Sequence, residues 1–184
     1  QRSKMDPRVI DMLKELPREG HPMEWLMAGL VFLGMTSKTG DFYEDGLNLV
    51  AQTPELIANI FRIRSGWGEP IQSRPELGMV ENFVHMMGVP GADQEKLTKL
   101  LRTFYVLHMD HGGGNLSTFS GKAVASGHAD QFSSLAAAMA GLLLAHSELR
   151  VGVGTRVPTS PLSGRQRSNK TTGTALLQHR ASAT

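Results

Sequence analysis

The segment Leu107-His108-Met109-Asp110-His111-Gly112-Gly113-Gly114-Asn115-Leu116-Ser117 holds the densest group of residues able to do chemistry. Two imidazoles flank a carboxylate, and three glycines follow that let the backbone turn tightly and come close to a ligand. An imidazole, charged or neutral, can donate to a carbonyl oxygen, and the C-terminal end of a helix favours its cationic form. Three uses fit the pattern: a substrate site, half of a metal site through His108-x-x-His111, or a helix stop in which the histidines cap and the glycines terminate. His21, His85 and His128 stand singly and offer no second pair for a metal. With no cysteine in the chain, thiolate ligands, a cysteine nucleophile and disulfides are all excluded. Spacing alone leaves the substrate site and the helix stop both open.

The elements that must position this segment are helices. Val9, Ile10, Met12, Leu13 and Leu16 predict a short helix ending before Pro17. The run from Pro22 to Met35 is apolar on almost every side, as expected of a helix enclosed by others. After a break at Thr39-Gly40-Asp41, Thr53 as N-cap with Pro54 at the first helical position predicts a new helix start, with Leu56, Ile57, Ile60 and Phe61 on one face. Ser65 to Pro75 reads as a loop. Val80, Phe83, Val84 and Met87 predict a helix stopped by Gly88, and Asp93 caps a longer one striped by Leu97, Leu100, Leu101, Phe104 and Leu107. Asn115 to Ser126 is polar and rich in small residues. A last helix is expected from Asp130, with Phe132, Leu135, Ala136, Met139, Leu142 and Leu143 on one face and small residues that allow a neighbour to approach closely.

The net charge of +2 hides a division. Residues 1–146 carry 13 basic and 16 acidic residues, a balance of −3, and residues 147–184 carry 6 and 1, a balance of +5. The body has no basic stripe and the tail no aromatic residue, which argues against nucleic-acid binding. Apolar residues in the tail follow no sustained period, so we expect residues 147–184 to be a basic, Ser/Thr-rich, disordered segment beside one helical domain over 1–146. The apolar stretch from Trp25 to Met35 is too short to span a bilayer, and no membrane role is expected. The chain opens with Gln1, and a start upstream is expected.

Five stretches, in order, resemble the citrate synthase family: His21-Pro22-Met23, the string from Tyr43 to Arg62, the string from Pro75 to Gly88, the His108–Ser117 segment, and Ser133 to Leu142. The resemblance implies an all-α, multi-helical partial large domain of the citrate synthase fold. It implies the condensation of acetyl-CoA with oxaloacetate to citrate and CoA, at the entry to the tricarboxylic acid cycle, with no metal or bound cofactor and acetyl-CoA as a substrate. A homodimer is implied, packed through the Val80–Met87 and Asp130–Leu143 helices. The location implied is the cytoplasm in a bacterium or the mitochondrial matrix in a eukaryote. By position, His111 matches the histidine that hydrogen-bonds oxaloacetate, and Asn115 and Ser117 match residues lining the site. His108 and Asp110 match positions that shape the turn. A 2-methylcitrate synthase, which uses propionyl-CoA in the same fold, is the alternative, although the Tyr43–Arg62 string leans toward the citrate enzyme.

The resemblance ends near Leu143. In the family a Gly-Pro-Leu-His-Gly segment follows at once and its histidine stabilises the enolate; here His146 comes one place early, without the Pro before it or the Gly after it. The remaining catalytic residues of the family have no match beyond Leu144. This chain is therefore expected to be inactive alone, the tail is read as out-of-frame translation, and an inactive truncated protein acting only through interactions is a further alternative.

Overall fold

A computed structural model describes residues 2–109 and 114–149, residues 144–149 by their backbone alone. Among the described residues the fold is seven α-helices with no strand: α1 (Pro7–Glu15), α2 (Pro22–Ser37), α3 (Phe42–Ser65), α4 (Met79–Met87), α5 (Gln94–Leu107), α6 (Leu116–Ser126) and α7 (Gln131–Leu149). The all-α expectation is met.

Helix α2 is the centre of the main core, as its all-round apolar composition predicts. Leu30 and Leu33 are fully buried and Trp25 nearly so, with Val9 and Leu13 of α1, Leu56 of α3 and Phe132 of α7 packed around them. Two glycines permit this close packing. A Cβ on Gly29 would fall 2.8 Å from Leu56, and one on Gly34 would fall 2.8 Å from Phe132. The helix begins with a reciprocal cap: His21 Nδ1 accepts from the Met23 amide at 3.2 Å, and Glu24 accepts from the His21 amide at 2.6 Å. His21 thus has a structural task.

The expected helix start at Thr53-Pro54 is corrected by the structure. Helix α3 is continuous across Pro54 and starts at Phe42, with Asp41 accepting from the Glu44 amide. Thr53 turns its hydroxyl back to the Leu49 carbonyl at 2.6 Å instead of capping forward. The missing proline amide removes one bond from a 24-residue helix whose inner face is buried on both sides of Pro54, and that burial outweighs the interruption. Asp45 is buried near this start, where it accepts from the Thr39 amide and hydroxyl and from the Gly40 amide.

A second core cluster joins Ala58 of α3 to Phe83, Val84, Met86 and Met87 of α4, with Leu97 and Leu101 of α5 alongside. Arg62 ties this region together without a carboxylate. Its guanidinium donates to the carbonyls of Glu69 (2.9 Å), Met87 (2.9 Å) and Trp67 (2.6 Å). One buried side chain thereby fixes the end of α3, the loop that follows it and the end of α4. Gly88 ends α4 as expected, at φ +52, and Asp93 caps α5 through the amides of Glu95 and Lys96.

The apolar stripe expected on α5 is only partly used. Leu97 and Leu101 pack against α4, while Leu100, Phe104 and Leu107 are exposed. Residues 115–126, read from the sequence only as a polar, small-residue stretch, contain helix α6. Helix α7 runs on to Leu149, past the change of texture near Leu144. No helix among the described residues is long and apolar enough to cross a membrane.

Candidate functional site

The segment that the sequence singles out is the turn from α5 into α6. Helix α5 ends at His108, whose backbone leaves the helical region at φ −110 and ψ 8 while its amide still bonds the carbonyls of Phe104 and Tyr105, both at 3.1 Å. Its Nδ1 lies 2.8 Å from the Phe104 carbonyl and, facing an acceptor, carries the ring proton. The imidazole also stacks on the Phe104 ring, with centroids 3.9 Å apart and planes inclined by 21°. One side chain thus adds a second bond to a carbonyl that the His108 amide already engages, and it covers an aromatic face.

Asp110 and His111 lie outside the described residues, with Gly112 and Gly113. Chain description resumes at Gly114, and Asn115 is the N-cap of α6 at φ −65 and ψ 141. Its carbonyl accepts from the Phe119 amide at 2.9 Å, yet its side chain makes no capping bond. Asparagine at this position normally spends its side-chain oxygen on the helix amides. Here the exposed carboxamide makes no capping bond among the described residues.

Ser117 stands in the first turn of α6, half-buried, and its backbone is set by α7. A Cβ on Gly141 would lie 3.0 Å from the Leu116 carbonyl oxygen and from the amide nitrogen and Cα of Ser117. Further along, a Cβ on Gly121 would lie 3.1 Å from that of Ala138. Small residues therefore let α6 and α7 meet nearly backbone to backbone, which positions Asn115 and Ser117 from beneath. The small-residue face of α7 anticipates this contact; its partner, α6, was not recognisable beforehand.

The structure places His108 at the end of α5, and Asn115 and Ser117 at the start of α6, on either side of residues 110–113. His146 falls within the backbone of α7, and its side chain is outside the description. Around the turn the surface is apolar and open: Leu107, Met109, Leu116 and Phe119 are exposed, and neither α5 nor α6 has a buried residue. Among the described residues no three His, Cys, Asp or Glu side chains gather in a way that could hold a metal ion.

Sequence reasoning missed a line of buried polar residues on α3: Gln52, Glu55, Asn59 and Arg62. Their spacing of three, four and three residues is helical, and it shares the sector of Leu49, Leu56 and Ile60. That period could have revealed them had polar residues been included in the pattern.

The family described as citrate synthase, C-terminal domain, matches residues 1–145. Citrate synthase 4, mitochondrial, of Arabidopsis thaliana is 34% identical over 148 residues, covering 73% of this chain and 31% of that protein. The mitochondrial 2-methylcitrate synthase of Fusarium solani is 33% identical over 150 residues, covering 73% and 32%. Among solved structures, the citrate synthase of Pyrobaculum aerophilum aligns with a TM-score of 0.66 at 28% identity, covering 77% of this chain and 38% of that one. The chain spans about a third of the length of the curated relatives it matches. A match through residue 145, together with helices that align on those of solved citrate synthases, places the chain by sequence and by fold: it belongs to the citrate synthase family.

Proposed function

We propose that this chain supplies the oxaloacetate side of a citrate synthase, an acyltransferase that joins acetyl-CoA to oxaloacetate and releases citrate and CoA. The observation that carries the reading is the turn itself. Among the described residues the Asn115 carboxamide makes no capping bond at its helix start, His108 bonds back to the preceding helix end, and α7 holds the first turn of α6 in close contact. On this reading His111 donates to the keto oxygen of oxaloacetate, and Asn115 and Ser117 line the same pocket. The comparable identity to a 2-methylcitrate synthase supports propionyl-CoA as a second acyl donor.

A homodimer is the assembly we infer, and the open apolar surface of α5 and α6 supports a further helical layer there. Most of α4 is less available than expected, since Phe83, Val84, Met86 and Met87 are buried within the chain. The mitochondrial relatives support a matrix location in a eukaryote, and a bacterial source would place the protein in the cytoplasm.

By itself the chain is expected to be inactive, because His146 has neither the Pro before it nor the Gly after it that accompany the family's enolate-stabilising histidine, and no other residue matches one. Thiol release from acetyl-CoA and from propionyl-CoA, each with oxaloacetate, tests this directly. Turnover above background that disappears in His146→Ala would overturn the claim of inactivity. In a complete enzyme carrying residues 1–145, the ratio of the two rates decides between the acyl donors, and no release with either donor would refute the proposed reaction.

A further inference from the structure

Residues 2–6, ahead of α1, lie along α3 and are held by one line of its side chains. Arg2 bonds Glu44 and, at 3.1 Å, the Asn48 side chain; Gln52 Nε2 donates to the Lys4 carbonyl at 3.2 Å; and the Met5 amide lies on the Glu55 carboxyl and favours its ionised form. Positions 44, 48, 52 and 55 recur at helical spacing, so the anchors form one continuous row. The Met5 side chain enters the main core, and Ser3 shares a 2.9 Å hydrogen bond with Ser73 in the loop before α4. These five residues form a strap across the helix.

At its inner end the row is buried. Gln52, Glu55 and Asn59 are buried, and Gln52 Oε1, Glu55 Oε2 and Asn59 Oδ1 have no hydrogen-bond partner among the described residues. They stand at i, i+3 and i+7 on one helix, so each neighbours the next. Asn59 Nδ2 is already committed to the Glu55 main-chain carbonyl at 3.0 Å. Three acceptors without a donor are an arrangement that one proton relieves. A protonated Glu55 carries no buried charge and supplies a donor to a row whose free atoms are acceptors. An ionised Glu55 leaves a buried charge facing two further acceptors.

No cation offsets that charge among the described residues. In the strap, Arg2 is engaged by Glu44 and Asp6 by Arg8, and Lys4 meets the row through its backbone; on α1, Lys14 pairs with Glu69, and Asp11 and Glu15 are exposed. On α2, Glu24 and His21 serve the helix cap; on α3, Arg62 is held by three carbonyls, and Arg64 lies over Trp25 with its buried Nη1 lacking a hydrogen-bond partner among the described residues. On α4, Glu81 pairs with Arg102 and His85 stands in the last turn. Burial is what dominates the Glu55 carboxyl and pushes it up to about 7, the Met5 amide opposing.

We propose that residues 2–6 are a proton-controlled strap, closed over α3 while Glu55 carries a proton and released when that proton leaves. The closed state holds the proton more tightly than the open one, in which Glu55 meets water. Closure is therefore favoured at low pH and weakens as pH rises through about 7.

Hydrogen exchange of residues 2–9 in the full chain, corrected for intrinsic rates and compared at about pH 5.5 and about pH 8.5, reads the opening directly. The opening equilibrium is expected to rise roughly tenfold to a hundredfold over that range, and Glu55→Gln, which keeps the shape and adds a donor, is expected to abolish the rise. Carbon-13 titration of the Glu55 carboxyl in the unaltered chain is independent of any variant and is expected to give a midpoint near 7. Equal protection at both pH values, a Glu55→Gln protein with the same rise, or a midpoint at the ordinary glutamate value would each overturn the proposal.

Discussion

His108 and Asn115 show how the same kind of polar residue can serve structure at one end of a turn and remain available at the other. His108 is engaged through Nδ1 by the Phe104 carbonyl and through its face by the Phe104 ring. His108→Ala should lower stability by about 0.5–1.5 kcal/mol, the worth of one hydrogen bond, measured by urea melts. Oxaloacetate affinity in a complete enzyme should not change; a tenfold loss would move His108 into the binding set. The segment stands out in the sequence because the residue order around three glycines is distinctive. The task of His21 was not legible there, since histidine is an unusual N-cap and only the geometry shows its ring accepting from the Met23 amide.

At the scale of elements, periodicity was a good guide where an apolar face is buried and a poor one elsewhere. Helix α2 was readable because it is apolar all round, and α4 because Gly88 follows its stripe. Helix α6 was not, because it buries no residue fully and its contact with α7 is made by small residues rather than by a hydrophobic stripe. Thr53-Pro54 misled for a related reason: the pair has the same local appearance at a helix start and inside a long helix, and only the burial on both sides decides. The α6–α7 contact gives a sharp prediction. Gly141→Ala sets a Cβ against three main-chain atoms of α6 at 3.0 Å, and backbone cannot rotate away as a side-chain tip can. A cost of about 1–3 kcal/mol is expected in urea melts. A loss below about 0.5 kcal/mol would show that α6 is free to shift and does not hold Asn115 and Ser117 in place.

For the whole molecule, two sets of carboxyls pull stability in opposite directions with pH. Asp6, Asp45, Asp93 and Asp130 are held below the ordinary aspartate value by hydrogen bonds, Asp6 to about 2. Such depressed groups stabilise above the unfolded value and lose that contribution as pH falls through the folded one. Glu55, raised from 4.5 to about 7, acts in reverse: its contribution is complete below 4.5 and is lost as pH rises through 7. Urea melts from about pH 2 to 8 should therefore show a maximum between about pH 4 and 5, with the limb above it flattened in Glu55→Gln. Stability rising steadily to pH 8 would contradict this balance. The central claim concerns the turn that the whole fold supports, and it is tested most directly by His111→Ala in a complete enzyme carrying residues 1–145. Titration with oxaloacetate and with acetyl-CoA should show oxaloacetate affinity reduced roughly tenfold to a hundredfold, the worth of a charge-assisted hydrogen bond of about 1.5–3 kcal/mol, with acetyl-CoA affinity nearly unchanged. Unchanged oxaloacetate affinity in a variant that melts like its parent would contradict the account and reduce the histidine segment to a helix stop.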